Sequence, residues 1–330
     1  MRAFEYVRAD DVAAAVAMVS ADTEAQYLAG GTTQVDLMLK DGVLEPERLV
    51  DITRLPLRGI TRGDDTLLVG ALTTMEELAA APTVAERVPF VRDALLAGAS
   101  VQLRNMATIG GNLLQRTRCR YFRDPTVRAC NKRSPGSGCA AVTGAARMHA
   151  ILGASEDCIA VHASDLCVPL VALDAVVHIQ GVDTQRRVPM TEFYVLPGDR
   201  PDVENVLKHG ELITHVEVPF LPVGARSGYL KVRDRASYEL ALTSAAAALV
   251  IDDGTIVNAR LALGGVGTVP WRAREAEEIL NGSPANDQTF HAAAESALRD
   301  PFTVPGTAFK VELAKRTIVR ILQTVSSTQS

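Results

Sequence analysis

Between residues 113 and 158 the hydrophobic periodicity that marks helices and strands fades. In its place stand Cys119, Cys130, Cys139 and Cys158, four of the chain's five cysteines. Eight basic residues (Arg116, Arg118, Arg120, Arg123, Arg128, Lys132, Arg133 and Arg147) face three acids (Asp124, Glu156 and Asp157), a local charge of +5 in a chain of net charge −5. The sequence SPGSG at 134–138 adds tight reversals. A segment this long without a patterned apolar face buries too little surface to offset the entropy of ordering it. Something other than a hydrophobic core has to hold it.

The cysteines are separated by 10, 8 and 18 residues. An odd total of five excludes a fully paired disulfide framework. Structural zinc sites bring ligands in close C-x₂₋₄-C pairs, and none is present here. Four thiolates are also the complement of a [4Fe–4S] cluster, whose net negative charge the surrounding arginines would offset. Gly136 and Gly138 would let amide N–H groups approach sulfur. Inert buried thiols are the default reading of unpaired cysteines, but polar, glycine-rich, basic sequence makes a poor apolar pocket. A cluster, a structural metal and inert thiols all stay open on spacing alone. Cys167, in the apolar run SDLCVPLVAL, reads as a core residue.

The rest of the 330 residues carries about two domains' worth of ordinary pattern. An acidic pI near 5.7 with 5% aromatics lacks the basic, stacking surface that nucleic acid requires. No apolar run reaches the roughly 20 residues of a membrane span. Asp10 and Asp11 interrupt any export signal at the N-terminus and read instead as the N-cap of a helix through Val19. Strands at 25–28 and 48–53 and a helix at 34–40 give residues 1–57 a βαβ rhythm. A strand pair at 65–74 and helices at 75–80 and 86–99 follow, and 159–221 turns to strands. Proline and glycine in LPVGARSG (221–228) mark a domain boundary. Beyond it a strand from Gly228, two strands flanking the hairpin signal Asp252-Asp253-Gly254, and helices at 271–281, 286–298 and 309–324 give an α+β order. The terminal VSSTQS is expected to fray.

Two glycine loops carry the chemistry. LAGGTTQVDLMLK (28–40) places Gly30 and Gly31 after a strand, then Thr32 and Thr33, then a helix start. Amide N–H groups converge in such a turn and suit a phosphate, although an ordinary turn explains it equally well. It is neither the G-x-G-x-x-G fingerprint nor a Walker loop. NMATIGGNLLQ (105–115) offers Thr108, Gly110, Gly111 and Asn112 in a second such loop. Two loops in one domain favour one long ligand touched twice, such as a dinucleotide. His149 and His162 read as satisfied structural histidines, and Met38, Met75 and Met106 form no stripe. There is no Ser–His–Asp order and no H-E-x-x-H, so the chain shows no machinery for attacking a substrate.

LAGGTTQVDLMLK and ATIGGNLLQRTRCRYFRD resemble the two flavin-binding signatures of the FAD subunits of the xanthine dehydrogenase and aldehyde oxidase family of molybdenum enzymes. HASDLCVPLVALDA (162–175), LITHVEVPF (212–220) and SGYLKVRDRASYELALTSAA (227–246) continue the likeness over nearly the whole chain. CNKRSPGSGC (130–139) resembles the insert of the bacterial three-subunit aldehyde oxidoreductases, whose medium subunit binds FAD and a [4Fe–4S] cluster.

The resemblance implies an α+β fold: a two-part FAD-binding domain of the vanillyl-alcohol-oxidase (PCMH) type over 1–222, with subdomains 1–57 and 58–222 and an iron–sulfur insert at 113–158. A small C-terminal α+β domain of the CO dehydrogenase flavoprotein type follows over 223–330. It implies FAD contacts at Gln26, Tyr27, Leu28, Ala29, Gly30, Gly31, Thr32, Thr33, Gln34, Thr108, Gly111, Asn112, Asp165, Ile213 and Lys231. The cluster ligands would be Cys119, Cys130, Cys139 and Cys158. Ala163 stands where proline is common before Ser164-Asp165. The implied partners are a molybdenum-cofactor large subunit and a [2Fe–2S] small subunit in a heterotrimer, with an external electron acceptor. Aldehyde oxidation at molybdenum releases two electrons, iron–sulfur centres carry them singly, and a flavin couples the two regimes. That division leaves this chain without a general base or a catalytic residue. The resemblance also implies a periplasmic location by co-export with a signal-bearing partner; without such a partner the chain would stay cytoplasmic. Two other functions are weighed beside it: a self-sufficient flavin oxidase and a zinc-stabilised interaction module.

Overall fold

The computed structural model describes residues 2–40 and 42–327. Strands β1 (Glu5–Arg8), β2 (Ala25–Leu28) and β3 (Arg48–Asp51) pair in parallel in the order β1-β3-β2. The crossover helix Val12–Ser20 starts where the Asp11 carboxylate accepts the Ala14 N–H at 2.7 Å, so the cap is the second of the two aspartates. Its buried face, Ala15, Val16 and Val19, packs with Val50 and Ile52.

A five-stranded antiparallel sheet follows: β4 (Ile60–Arg62), β5 (Thr66–Gly70), β6 (Val176–Gln180), β7 (Gln185–Pro189) and β8 (Leu212–Pro219), in the order β4-β5-β8-β6-β7. The expected strand pair sits earlier than 65–74 because its first strand begins at Ile60. The helical pattern at 86–99 is split. Pro82–Arg87 ends at Val88, and Pro89, with no N–H to donate, opens Pro89–Ala97. Phe90, Leu95, Ile109, Leu170 and Phe193 fill the core between these helices and the sheet.

The last unit is the antiparallel sheet β9 (Arg226–Val232), β10 (Thr243–Asp252), β11 (Thr255–Gly264) and β12 (Trp271–Arg272), in the order β12-β11-β10-β9. Asp253 at φ +44° and Gly254 at φ +75° supply the two left-handed residues that the β10–β11 hairpin needs. Helices Arg274–Leu280, Asp287–Ala297 and Phe309–Ser327 cover one face. The last helix does not fray at Val325, which is buried; residues 328–330 lie outside the described residues. Arg272, nearly buried, reaches back to Asp174 at 3.1 Å and joins this unit to the preceding one.

Between residues 114 and 158 lie the one-turn helices Arg120–Arg123 and Ala140–Thr143 and isolated bridges at Cys130–Cys139, Ser155–Cys158 and Leu152–Gly267. The expectation of little apolar burial is only partly met. Phe122 and Cys130 pack on Leu37, and Ala141 and Ala146 pack on Ile159. Among the described residues no helix is long and apolar enough to cross a membrane.

Candidate functional site

The two glycine loops touch. A Cβ built on Gly30 would lie 1.9 Å from the Met106 carbonyl oxygen and 3.2 Å from Ala107 Cα, so only glycine allows this backbone crossing. Gly31, at φ +69°, makes the turn into the helix Gln34–Leu39. The second loop is fastened from the other side: Met75 N–H donates to Ala107 O at 2.9 Å, and Gly110 N–H to Ala71 O at 2.8 Å. Thr108 caps the turn by accepting the Gly111 N–H at 3.2 Å.

Between the loops lies a cavity of about 560 Å³, within the range of a cofactor pocket. Gln26, Tyr27, Ala29, Gly30, Gly31, Thr32, Thr33, Gln34, Thr108, Gly111, Asn112 and Ile213 all line it. Three residues of the expected set do not: Leu28 ends β2 with its side chain against Gly31, while Asp165 and Lys231 lie elsewhere. Tyr27 is anchored by donating to Gly210 O at 2.6 Å, and burial raises its phenol far above the usual range. Arg116 and Arg118 also line the cavity. Sequence reasoning grouped both with the insert; their proximity in the chain to Asn112 was the available signal.

Asp165 lines a second cavity of about 420 Å³, which shares Arg118 with the first. Its carboxylate accepts from Lys231 Nζ at 2.7 Å and from Tyr229 Oη at 2.6 Å, with both ion-pair side chains nearly buried. Lys231 therefore holds Asp165 from behind. Ser164 Oγ donates to Asn112 Oδ1 at 2.5 Å, tying this loop to the second glycine loop.

The four cysteines of the insert are free and gather near one another. Burial pushes the Cys119 thiol up to about 12, and ionised Cys130 or Cys158 would push it further. Cys158 is likewise raised by burial, lowered by Lys132 and raised by Cys139 and Cys130. Thiols in such a setting ionise only if something positive is placed among them. Left-handed Gly136 and Gly138 turn the 130–139 hairpin, and Asn131 Oδ1 accepts the Gly138 N–H at 2.8 Å. Among the described residues, no three His, Cys, Asp or Glu side chains converge on a point that a single metal ion would fill.

Several basic residues of the insert also make ion pairs and hydrogen bonds within the fold, while Lys132 acts on Cys158 as well. Arg116 and Lys132 both pair with Glu204, at 2.7 and 3.0 Å. Burial raises the Glu204 carboxyl, but the two cations outweigh burial and hold it below the ordinary glutamate value. Arg123 pairs with Asp36, and Arg147 with Asp234. Arg133 donates to the carbonyls of Tyr121, Phe122, Asp124 and Val127 and so staples that loop. The histidines are not fully satisfied either: His149 Nδ1 and His162 Nε2 are buried with no hydrogen-bond partner. Cys167 is fully buried in the core beside Tyr194 Oη, at 3.1 Å.

The pattern of the FAD binding domain in molybdopterin dehydrogenase matches residues 2–221, and that of the CO dehydrogenase flavoprotein C-terminal domain matches 228–325. The chain is 44% identical to the aldehyde oxidoreductase FAD-binding subunit PaoB of Escherichia coli (strain K12), over 98% of each chain. It is 28% identical to the glyceraldehyde dehydrogenase medium chain of Sulfolobus acidocaldarius, over 97% of this chain and 95% of that one. Among solved structures, a carbon monoxide dehydrogenase from Hydrogenophaga pseudoflava superposes with a TM-score of 0.77 at 25% identity, covering 99% of this chain and 98% of that one.

Proposed function

We propose, from the premise that this chain belongs to the FAD-binding subunits of the molybdenum hydroxylases, that it is the flavin and iron–sulfur subunit of an aldehyde oxidoreductase. The observation that carries the flavin half is the backbone contact at Gly30, which closes two glycine loops around one cavity. Amide groups of 30–33 would hold the pyrophosphate, while the second loop, whose Gly110, Gly111 and Asn112 N–H groups are taken within the fold, would lie along the flavin. Arg116, paired with Glu204, and Arg118 stand on the same wall. Asp165, fixed by Lys231 and Tyr229, would meet the ring end with a carboxylate oxygen that accepts an N–H. Bound FAD would supply the switch between one- and two-electron chemistry. This chain's residues bind and orient it, keep water from its buried edge and hold no proton for a substrate.

The cysteine set supplies the four thiolates that a polynuclear cluster takes. Ligands to one zinc converge at about 2.3 Å from a common centre, whereas four thiolates on a [4Fe–4S] cluster each bind a separate iron. The free thiols here lie near enough for Cys130 and Cys158 to act on Cys119. The likeness to PaoB supports the aldehyde assignment, and the molybdopterin dehydrogenase domain match supports a molybdenum-bearing large subunit as partner; a [2Fe–2S] small subunit completes the proposed heterotrimer. Co-export of the assembled complex to the periplasm on a partner's signal belongs to the same proposal. The test is anaerobic addition of an aromatic or aliphatic aldehyde to the co-purified complex, followed at the flavin absorbance. Bleaching by aldehyde in the complex, with none in the isolated chain, is expected. Bleaching of the isolated chain would instead select a self-sufficient oxidase.

A further inference from the structure

Cys119 differs from the other cysteines of the insert. Among the four it alone lines the cavity that holds Asp165, so it faces the compartment assigned to the flavin ring; Cys158 lines a separate, small cavity. The Cys119 sulfur lies 3.2 Å from Nε2 of His149, a buried residue on the wall of the same cavity.

His149 is held firmly for this contact. Its N–H donates to Ala146 O at 2.8 Å, and its ring lies beside Tyr121. Its carbonyl accepts from Nζ of Lys310 at 2.8 Å, and the same Nζ donates to Gly265 O at 2.5 Å. Lys310 is fully buried, and burial lowers its amine to about 7; its two N–H bonds fix the His149 and Gly265 backbone.

The direction of the hydrogen bond follows from the donor inventory. A thiolate bound to iron has no hydrogen and can only accept, so Nε2 must carry the proton. In that tautomer Nδ1, which has no partner, is a bare acceptor. Hydrogen bonds to ligating sulfur are among the terms that set iron–sulfur potentials. We infer that His149 sets the reduction potential of the cluster on its flavin-facing side by donating an Nε2–H···Sγ bond to Cys119. This rests on the iron–sulfur reading above. The bond draws charge from sulfur and favours the more negative, reduced cluster, so its removal makes reduction harder.

The experiment compares the holo complex of wild type, His149→Ala and His149→Gln. Iron and acid-labile sulfide are counted first, with the Cys130→Ser complex as the reference lacking this cluster. The cluster potential and the flavin potential are then read separately by EPR-monitored and optical redox titration. His149→Ala is expected to keep its iron and to shift the cluster equilibrium at least tenfold towards the oxidised form, about 59 mV for one electron. His149→Gln, whose amide can donate, falls between, and the flavin potential stays in place. A retained cluster at the wild-type potential in His149→Ala overturns the inference and leaves the cluster reading standing. Wild-type complex with no more iron than the Cys130→Ser reference removes the reading and the inference together. Loss of iron from both His149 variants also overturns it, because His149 would then serve assembly rather than potential.

Discussion

Replacing Gly30 by alanine separates the two loops that make the flavin cavity. The new Cβ would meet the Met106 carbonyl oxygen at 1.9 Å and its carbon at 2.8 Å, both backbone atoms that cannot swing aside. Contacts under 3.0 Å are essentially never seen for a real Cβ, so one loop must retreat by more than an ångström. Overpacking of this kind costs about 1–3 kcal/mol. The second loop is pinned to Ala71 and Met75, so the retreat falls on the 28–33 loop, whose amides face the cavity. If the whole cost appears in binding, the FAD dissociation constant rises by roughly 5- to 150-fold. Gly31→Ala is the comparison. Its Cβ would meet only flexible side-chain atoms, at 3.2 and 3.3 Å, but its φ of +69° costs a non-glycine residue about 1–2 kcal/mol. Titrating FAD into the deflavinated complex and following flavin fluorescence gives both constants. A Gly30→Ala complex that binds FAD like wild type would refute the idea that this crossing shapes the site.

Three further outcomes are expected. Glu204→Gln leaves Arg116 and Lys132 without their shared counter-charge and lowers stability by about 2 kcal/mol at neutral pH, a partly exposed version of breaking a buried pair. Because the Glu204 carboxyl is held below its usual 4.5, its contribution is complete above that pH and disappears as the pH falls through the lowered value. Melting temperatures across pH 3–7 (approximate range) should therefore converge for the two proteins at the acid end, and a constant gap would contradict the assignment. Lys231→Met strands the Asp165 carboxylate with Tyr229 alone and should cost about 3 kcal/mol. Adding Asp165→Asn should recover part of that loss in a double-mutant cycle, and simple additivity would show that the two residues do not act as a pair.

Much of this architecture was legible in local signals. The Asp11 cap, the strand at 25–28, the Gly30–Gly31 turn and the Asp253-Gly254 hairpin each rest on chemistry confined to a few residues. The glycine loops could be suspected of sharing a ligand, but their backbone contact joins positions 30 and 106, and no local pattern encodes such a crossing. The split at Pro89 was missed because the apolar pattern runs on through it, although the proline itself was the signal. Charge was the least readable feature. Eight basic residues in one stretch suggested a field around a cluster, yet Arg116, Lys132, Arg123 and Arg147 find their carboxylates on distant segments. His149 was read as structural because its contacts with Cys119 and Lys310 lie 30 and 161 residues away.

The central claim is that the basic insert is organised by iron and sulfide beside a flavin. It is met most directly by counting iron, acid-labile sulfide and FAD in the anaerobically purified complex of wild type and Cys130→Ser. The account predicts that the variant loses the four irons and four sulfides of one [4Fe–4S] cluster per copy of this chain while keeping most of its FAD. Identical iron and sulfide in the two complexes would contradict it.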